Sequence, residues 1–251
     1  MVGVTQLHDV VFILCLGFSS ILRFNASTHQ RLADVDVKSL QGPRDIAACE
    51  QTSHVYVAGV GCIWRMSADG AEIRRWLPKS PDDTFGPRTL SVTSTRLLVT
   101  SDFAKQLMQF DADGNELRRV HLPDNLEPGH AVESPTGTFI VSHRNARLLY
   151  PWQVSEVNTG GEVLRQFTAS LPSSPCLPAH IAVDSHGNVV LADSGNRILL
   201  LDAHLTLRRV ITDEHQLKYK TPQRLCYREQ SGQLLVGFSE GRSVSVFDVV
   251  H

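Results

Sequence analysis

The sequence predicts an all-β fold, a six-bladed β-propeller built from four-stranded antiparallel blades. Prolines recur at intervals of 41 to 50 residues, at Pro43, Pro87, Pro128, Pro178 and Pro222. Short apolar runs follow each proline and alternate with polar or glycine-containing turns, a pattern that indicates consecutive antiparallel strands. Repeated four-stranded units of this length are typical of β-propellers, in which radial repetition leaves only short strand edges.

The units follow one another along the whole chain. The residues before Pro43 supply a first unit, with apolar runs at 2–7, 10–16, 21–25 and 32–37. In the later units the second runs are 55–57, 97–99, 139–141, 189–191 and 234–236. The last unit has room for only three runs, so either the ring contains one incomplete blade or the chain is part of a longer one. We therefore predict one domain over residues 1–251, with approximate blades 1–41, 42–85, 86–127, 128–176, 177–220 and 221–251.

The fifth unit resembles the NHL repeat. The matching segments are Ile181-Ala182-Val183-Asp184, Gly187-Asn188-Val189, Ala192-Asp193 and Gly195-Asn196-Arg197-Ile198, whereas the other units match only in their apolar skeleton. The resemblance is to NHL-repeat propellers, including TRIM-NHL-like and TolB-like propeller domains. It implies a rigid scaffold that recruits a protein or an RNA, often behind RING, B-box and coiled-coil segments. Those segments are not among these 251 residues, so ligase activity is not expected.

Composition is ordinary for a globular protein, with 42% hydrophobic residues, 20% charged residues and a net charge of −2. This small net charge gives no reason to expect binding to a nucleic acid or to a membrane surface. The most apolar stretch, Val10–Leu22, is too short to span a bilayer and lacks a basic start. Five cysteines without a Cys-x-x-Cys pair indicate free thiols, and we expect a cytoplasmic protein. An extracellular sensor or adhesion module is the alternative, supported by the sequon Asn25-Ala26-Ser27.

The position two residues after each repeat proline varies in a way that suggests a site. It holds Asp45, Thr89, His130, His180 and Arg224. In a propeller the innermost strands begin at the mouth of the central channel, on the face that also carries the loops between second and third strands. The residues expected to bind a partner on this face are Arg44, Arg88, His130, His180, Arg224, Arg147 and Arg197. The alternative is that such arginines hold their own loops, as Arg197 would by pairing with Asp193.

We expect a non-enzymatic interaction platform without a cofactor. A basic face on a nearly neutral chain favours an anionic partner, which we expect to be a protein. RNA is the alternative, but Phe103 and Phe238 are the main aromatic residues available on this face for base stacking. Replacing Arg88 and Arg224 together by glutamate is expected to weaken partner capture without changing thermal stability.

A metal-dependent lyase or hydrolase is the second hypothesis. His130 and His180 lie in neighbouring units and face one channel, where they could share a zinc ion with His143 or an acidic group. The sequence resembles the amidating lyase in placing histidines near prolines, although here each histidine is displaced by one residue. Calcium is a further alternative, because Asp111–Glu116 resembles the start of a calcium loop, while a hairpin turn explains the same residues.

Overall fold

The regular elements of the computed structural model are all β-strands in the part of the chain that it describes. The described residues are 3–15, 18, 20–37, 40, 42–78, 85–101, 104–145, 152–168, 180–193, 195–213, 215–218, 220–239 and 243–249. No helix in these ranges is long or apolar enough to cross a bilayer. Within the same ranges the cysteines Cys15, Cys49, Cys62 and Cys226 are free thiols. Cys176 lies outside them.

Six antiparallel sheets form the six blades, which confirms the predicted propeller. Blades one to three contain β1 (Gly3–Leu7), β2 (Val10–Leu14), β3 (Ser20–Asn25), β4 (Val35–Asp36); β5 (Asp45–Cys49), β6 (His54–Gly59), β7 (Cys62–Ser67), β8 (Ile73–Leu77); and β9 (Pro87–Thr93), β10 (Arg96–Ser101), β11 (Gln106–Phe110), β12 (Glu116–His121). Blades four to six contain β13 (Leu126–Glu133), β14 (Phe139–Asn145), β15 (Trp152–Val157), β16 (Val163–Thr168); β17 (Ile181–Val183), β18 (Val189–Asp193), β19 (Arg197–Leu201), β20 (Leu207–Thr212); and β21 (Pro222–Arg228), β22 (Gln233–Phe238), β23 (Val244–Asp248). The last blade has three strands among the described residues, as the sequence predicted.

The recurring prolines mark a bulge at the start of the innermost strands. In blades three, four and six the pairing register shifts by one residue just after Pro87, Pro128 and Pro222. Proline cannot donate a hydrogen bond to a neighbouring strand, so it is tolerated at a strand start or a bulge. A bulge also bends the strand and redirects the side chains that follow. In these three blades the bulge therefore fixes the direction of the residue two positions after the proline.

The hydrophobic core lies between the blades. Tyr56 and Trp76 of blade two pack against Leu90 and Phe110 of blade three, with the Tyr56 and Trp76 ring centroids 4.9 Å apart. The first and last blades are joined in the same way, by a cluster that includes Val4, Ile13 and Leu235. Burial of one large apolar side chain contributes about 1.5–3 kcal/mol. The ring of blades is thus held by side chains that every pair of neighbours shares.

The hairpins between third and fourth strands are capped by a side-chain oxygen. Asp111 Oδ1 accepts hydrogen bonds from the backbone N–H groups of Asp113 and Asn115, at 2.9 and 2.8 Å. The calcium-like segment is therefore arranged as a hairpin turn, with a carboxylate oxygen already used as the cap. Asn25, in the sequon, holds the same place in blade one, where its side-chain oxygen accepts two N–H bonds within its own turn.

Candidate functional site at the channel mouth

One residue from each blade forms a ring at the start of the innermost strands. Its members, in chain order, are Gly3, Asp45, Thr89, His130, His180 and Arg224. Neighbouring innermost strands contact one another all the way around, including the first with the last. The sequence repeat had located five of these positions, and at Thr89, His130 and Arg224 the bulge after the proline redirects the side chain.

The ring side chains bind the backbone of the next blade. Asp45 Oδ2 accepts a hydrogen bond from the N–H of Leu90 at 2.9 Å. His130 Nδ1 accepts one from the N–H of Ile181 at 3.3 Å, and His180 Nδ1 accepts one from the next blade at 3.2 Å. Each innermost strand is an edge strand whose channel-side N–H groups need partners, because buried unpaired donors cost about 1–3 kcal/mol. The ring therefore supplies hydrogen bonds between blades.

Arg224 and Asp45 form an ion pair across blade one. The distance from Arg224 Nε to Asp45 Oδ1 is 3.3 Å, and the two side chains are 16% and 1% exposed. Blade one contributes Gly3 here, and a Cβ atom at that position would lie 2.5 Å from Ile46 Cγ2 and 3.3 Å from Asp45 Oδ1. The absence of a side chain at position 3 leaves the room in which blade six contacts blade two.

His130 and His180 are buried and stacked, with ring centroids 3.7 Å apart and exposures of 2% and 7%. Together with Asp45 they place three possible metal ligands within 4.8 Å of one another. A neutral imidazole has one lone pair, and in both rings Nδ1 already accepts a backbone N–H. His130 Nε2 also lies 3.3 Å from the carbonyl oxygen of Leu90, so it carries the proton. The rings are thus arranged as hydrogen-bonding groups, an arrangement that does not fit metal ligation.

Burial controls the protonation of these groups. It raises the pKa of Asp45 to about 6, against the opposing effects of Arg224 and of backbone N–H donors. It lowers the pKa of His130 to about 3, assisted by the positive charge of Arg224. The pKa of His180 is also well below its usual value, first through burial and then through His130 and Arg224. At neutral pH both histidines are therefore neutral and Asp45 is ionised.

Four arginines converge around the ring. The pKa of Arg88 is lowered, first by burial and then by the positive charges of Arg144, Arg224 and Arg44, while Glu127 opposes the shift. Arg144 pairs with Glu127 through its Nε. We call Arg44, Arg88, Arg144 and Arg224 the mouth arginines. The positive charges of three arginines near Arg88 indicate a positive potential at this end of the channel.

The other sequence-predicted residues have different positions. Arg197 forms an ion pair with the buried carboxylate of Asp193, so its guanidinium holds its own loop. Arg147 lies outside the described residues. His143 is buried, and its Nε2 lies 2.8 Å from Ser155 Oγ, within its own sheet. Sequence reasoning did not anticipate the contact between Asp45 and Arg224, although both were recognised as equivalent positions of the repeat.

The channel contains a cavity of about 590 Å³ that is lined by the innermost strands, including His130 and His180. At the end away from the mouth its lining includes Asp9, Glu50, Arg228 and Glu229. Carboxylates therefore outnumber arginines at that end, whereas arginines predominate at the mouth. A partner that approaches the mouth meets guanidinium groups, because the histidines are buried beneath them.

Comparisons with known proteins support the fold alone. The structure is similar to a chain of hydrazine synthase from Kuenenia stuttgartiensis, with a TM-score of 0.68 and 13% identity over 98% of this chain and 95% of that one. A streptogramin B lyase has a TM-score of 0.64 and 12% identity over 94% and 89% of the two chains. A chain of a nidogen/laminin complex has a TM-score of 0.65 and 14% identity over 86% and 81%. No protein-family model matches the sequence, and no curated protein sequence matches it.

The buried histidines should make the fold sensitive to acid. A histidine with a lowered pKa binds its proton better in the unfolded chain, so stability falls as the pH drops below about 6.5. As the pH falls, each of His130, His180 and His143 can lower the free energy of unfolding by up to about 1.4 kcal/mol per pH unit. Asp45, whose pKa is raised, has the opposite effect and offsets the contribution of one histidine between pH 6 and about 4.

We expect the free energy of urea unfolding to be lower at pH 5 than at pH 7. His180→Asn keeps an acceptor for the N–H of Leu225 but cannot titrate, so it should reduce the pH dependence by about one proton. An unchanged pH dependence in this variant would show that His180 is not held neutral by burial.

Because Nδ1 of both His130 and His180 already accepts a hydrogen bond, we do not expect the ring to bind zinc. Zinc titration of the metal-free protein, followed by calorimetry and elemental analysis, should give no stoichiometric binding at the ring. Stoichiometric zinc that is retained by wild type and lost in His180→Asn would contradict this assignment and would support the metal-dependent enzyme instead.

Proposed function

We propose that this protein is a non-enzymatic, NHL-like propeller that binds an acidic segment of a partner protein at its channel mouth. The observation that carries the proposal is the proximity of the four mouth arginines at one end of the channel, where burial and then the charges of Arg144, Arg224 and Arg44 lower the pKa of Arg88. Holding like charges together costs free energy, and an anionic ligand removes that cost. Arginine also suits carboxylate recognition because its planar group donates two parallel hydrogen bonds.

Exposure distinguishes the mouth arginines from one another. Arg224 is 16% exposed, it is paired with buried Asp45, and its Nη2 also lies 3.3 Å from the carbonyl oxygen of Arg44. Arg144 pairs with the partly exposed carboxylate of Glu127 but is itself 47% exposed, and Arg88 is partly exposed. Arg88 and Arg144 are therefore the guanidinium groups best placed to meet a partner. Replacing Arg224 by glutamate would put a second carboxylate beside Asp45, so the expectation that such a variant keeps its thermal stability is withdrawn.

The aromatic residues favour a protein over RNA. Phe238 is 2% exposed and contacts Lys220, whose Nζ lies 5.7 Å from the ring centroid. It is therefore not available to stack on a base. Phe103 lies outside the described residues. Phe18 is 38% exposed, in the segment between β2 and β3. Single-stranded nucleic acids are bound by several aromatic residues in succession, so an acidic protein segment suits this face better.

The test compares two variants that lose the same charge. Arg88→Gln with Arg144→Gln removes two charges at the mouth, while Arg74→Gln with Arg118→Gln removes two from the exposed outer strands β8 and β12. A fluorescent glutamate-rich peptide is titrated by anisotropy at low ionic strength. We expect the mouth variant to bind about tenfold more weakly and the outer-strand variant to bind as wild type does, because close charges at one site act together.

Raising the salt to physiological ionic strength should reduce the difference, since the Debye length falls to about 8 Å. Equal losses in both variants would show that the peptide senses only net charge and would contradict a mouth site. A single-stranded RNA of matching length serves as the comparison probe. Tighter binding of the RNA, lost in the mouth variant, would favour RNA as the partner.

A further inference from the structure

The cavity in the central channel reaches the surface on the face opposite the mouth arginines. We call it the channel cavity. At its mouth end it is bounded by His130 and His180, and its volume of about 590 Å³ is in the range of small-molecule sites. At its other end it is lined by exposed residues of the turns between first and second strands: His8, Asp9, Glu50, Glu229 and Gln230. The entrance to the channel cavity is therefore separate from the surface proposed to bind a protein.

The layer of residues next to the ring leaves the channel cavity wide. Side chains alternate along a strand, so the residues two positions after the ring residues lie on the same strand face as the ring. These residues are small or of medium size and uncharged, and all of them line the cavity: Thr5, Ala47, Ser91, Val132, Ala182 and Cys226. Methyl groups and hydroxyls in one layer suit a ligand body that is mainly apolar.

Backbone amides also face the channel cavity. The N–H of Leu90 bonds to Asp45 and not to β10. Because hydrogen-bonded and non-hydrogen-bonded residues alternate in an antiparallel pair, Val92 also directs its N–H and carbonyl away from β10, towards the channel. The same reasoning applies to Val183, two residues after Ile181. Val92 and Val183 are partly exposed and line the cavity, which therefore offers hydrogen-bond donors and acceptors to its contents.

Two side chains of the channel cavity carry a polar atom that lacks a partner. Ser91 is 8% exposed, and its hydroxyl oxygen has no hydrogen-bond partner in the described part of the chain. Gln6 donates from Nε2 to the carbonyl oxygen of His8 at 2.7 Å, but its buried Oε1 accepts no bond from the described residues. Buried polar atoms are normally paired, so both atoms call for a partner inside the cavity. A neutral group with both a donor and an acceptor, such as an amide, would supply it.

The entrance of the channel cavity is acidic. The carboxylates of Asp9, Glu50 and Glu229 lie there together with one guanidinium, that of Arg228. Glu229 accepts hydrogen bonds from Ser185 of the neighbouring blade and keeps its charge in this contact. Carboxylates around a narrow opening raise the local concentration of cations. The entrance therefore favours a positively charged group on the ligand.

The carboxylate deeper in the channel cavity is already used. Glu133 is 7% exposed, and its Oε1 lies 2.9 Å from Nη2 of Arg96. Its Oε2 accepts a hydrogen bond from Nε2 of Gln109 at 2.7 Å. A cation inside the cavity would compete with both contacts. The positive group of a ligand is therefore expected at the entrance, with a neutral part inside.

We propose that the channel cavity binds a small molecule that has a cationic amine at one end, an apolar stem, and a neutral amide at the other end. The amine lies between Asp9 and Glu50 at the entrance, and the amide reaches Ser91. Glu50 lies three residues after Ala47, the equivalent of Ser91, so the two groups are about 10 Å apart along the strands. The site and the mouth arginines lie at opposite ends of the channel, so the two proposals can be tested independently.

The test uses two probes that differ in charge. N-benzoylputrescine has a primary amine, an aliphatic stem and an amide, and N-butylbenzamide is its neutral analogue. Both are titrated by calorimetry into wild type, Ser91→Ala, and Asp9→Asn combined with Glu50→Gln. The matched control is Glu72→Gln combined with Glu162→Gln, which removes two exposed carboxylates near the turns between third and fourth strands, outside the cavity lining. Melting followed by circular dichroism checks that every variant folds.

We expect saturable binding of N-benzoylputrescine to wild type and to the control variant. N-butylbenzamide, and the variant without the carboxylates of Asp9 and Glu50, should each give binding at least about tenfold weaker, because the entrance charges attract the amine. Ser91→Ala should weaken binding by about three- to tenfold, the effect of one neutral hydrogen bond.

A thiol in the wall of the channel cavity locates the bound probe. Cys226 is partly exposed and lines the cavity, whereas Cys62 is partly exposed outside it. Iodoacetamide labelling is followed by peptide mass spectrometry at mildly alkaline pH, because burial raises the pKa of the Cys226 thiol. N-benzoylputrescine at about ten times its Kd should slow labelling of Cys226 about tenfold and leave Cys62 unchanged, since only the unoccupied fraction reacts. Absence of saturable binding, equal binding of N-butylbenzamide, an equal loss in the control variant, or unprotected Cys226 would each overturn the proposal.

Discussion

The electrostatics of the channel mouth depend on the buried ion pair between Asp45 and Arg224, which joins blade six to blade two across blade one. Asp45 belongs to blade two and Arg224 to blade six, and Gly3 of blade one leaves the space between them. A carboxylate that is 1% exposed is costly to ionise, which is why its pKa rises to about 6. Arg224 and the backbone N–H of Leu90 offset that cost. The same arginine lowers the pKa values of both ring histidines and adds to the positive potential at the mouth.

This one contact therefore links the architecture to the candidate binding surface. Ring side chains accept hydrogen bonds from the backbone of the next blade, and these bonds fix neighbouring blades relative to one another. Those bonds use the Nδ1 lone pairs of His130 and His180, so these two ring side chains have a structural role. Under the proposed function, recognition is the role of the mouth arginines above the ring. A fixed scaffold with variable loops and edges is how propellers acquire different partners.

Much of the fold follows from the sequence, because strand alternation and turn residues are local signals. The repeat prolines also located five ring positions, and in blades three, four and six a bulge begins at the proline and redirects the ring side chain. The pairing of Asp45 with Arg224 depends on which blades meet across the channel and on the missing side chain at Gly3, neither of which a linear pattern contains. Partial burial of His130 and His180 could be expected from the sequence, but their nearly complete burial is decided by the neighbouring blades. The role of Arg197 also required the structure. The sequence allowed Arg197 either to bind a partner or to pair with Asp193, and the structure shows the ion pair with Asp193.

A double-mutant cycle on Asp45 and Arg224 tests the account most directly, with the free energy of urea unfolding measured at pH 7. Arg224→Met leaves a buried carboxylate without its counter-ion and should cost about 3–5 kcal/mol. Adding Asp45→Asn removes the charge but keeps an acceptor for Leu90, so the double variant should recover most of that loss. Single effects that add to within about 0.5 kcal/mol would contradict the claim that this ion pair joins blade six to blade two.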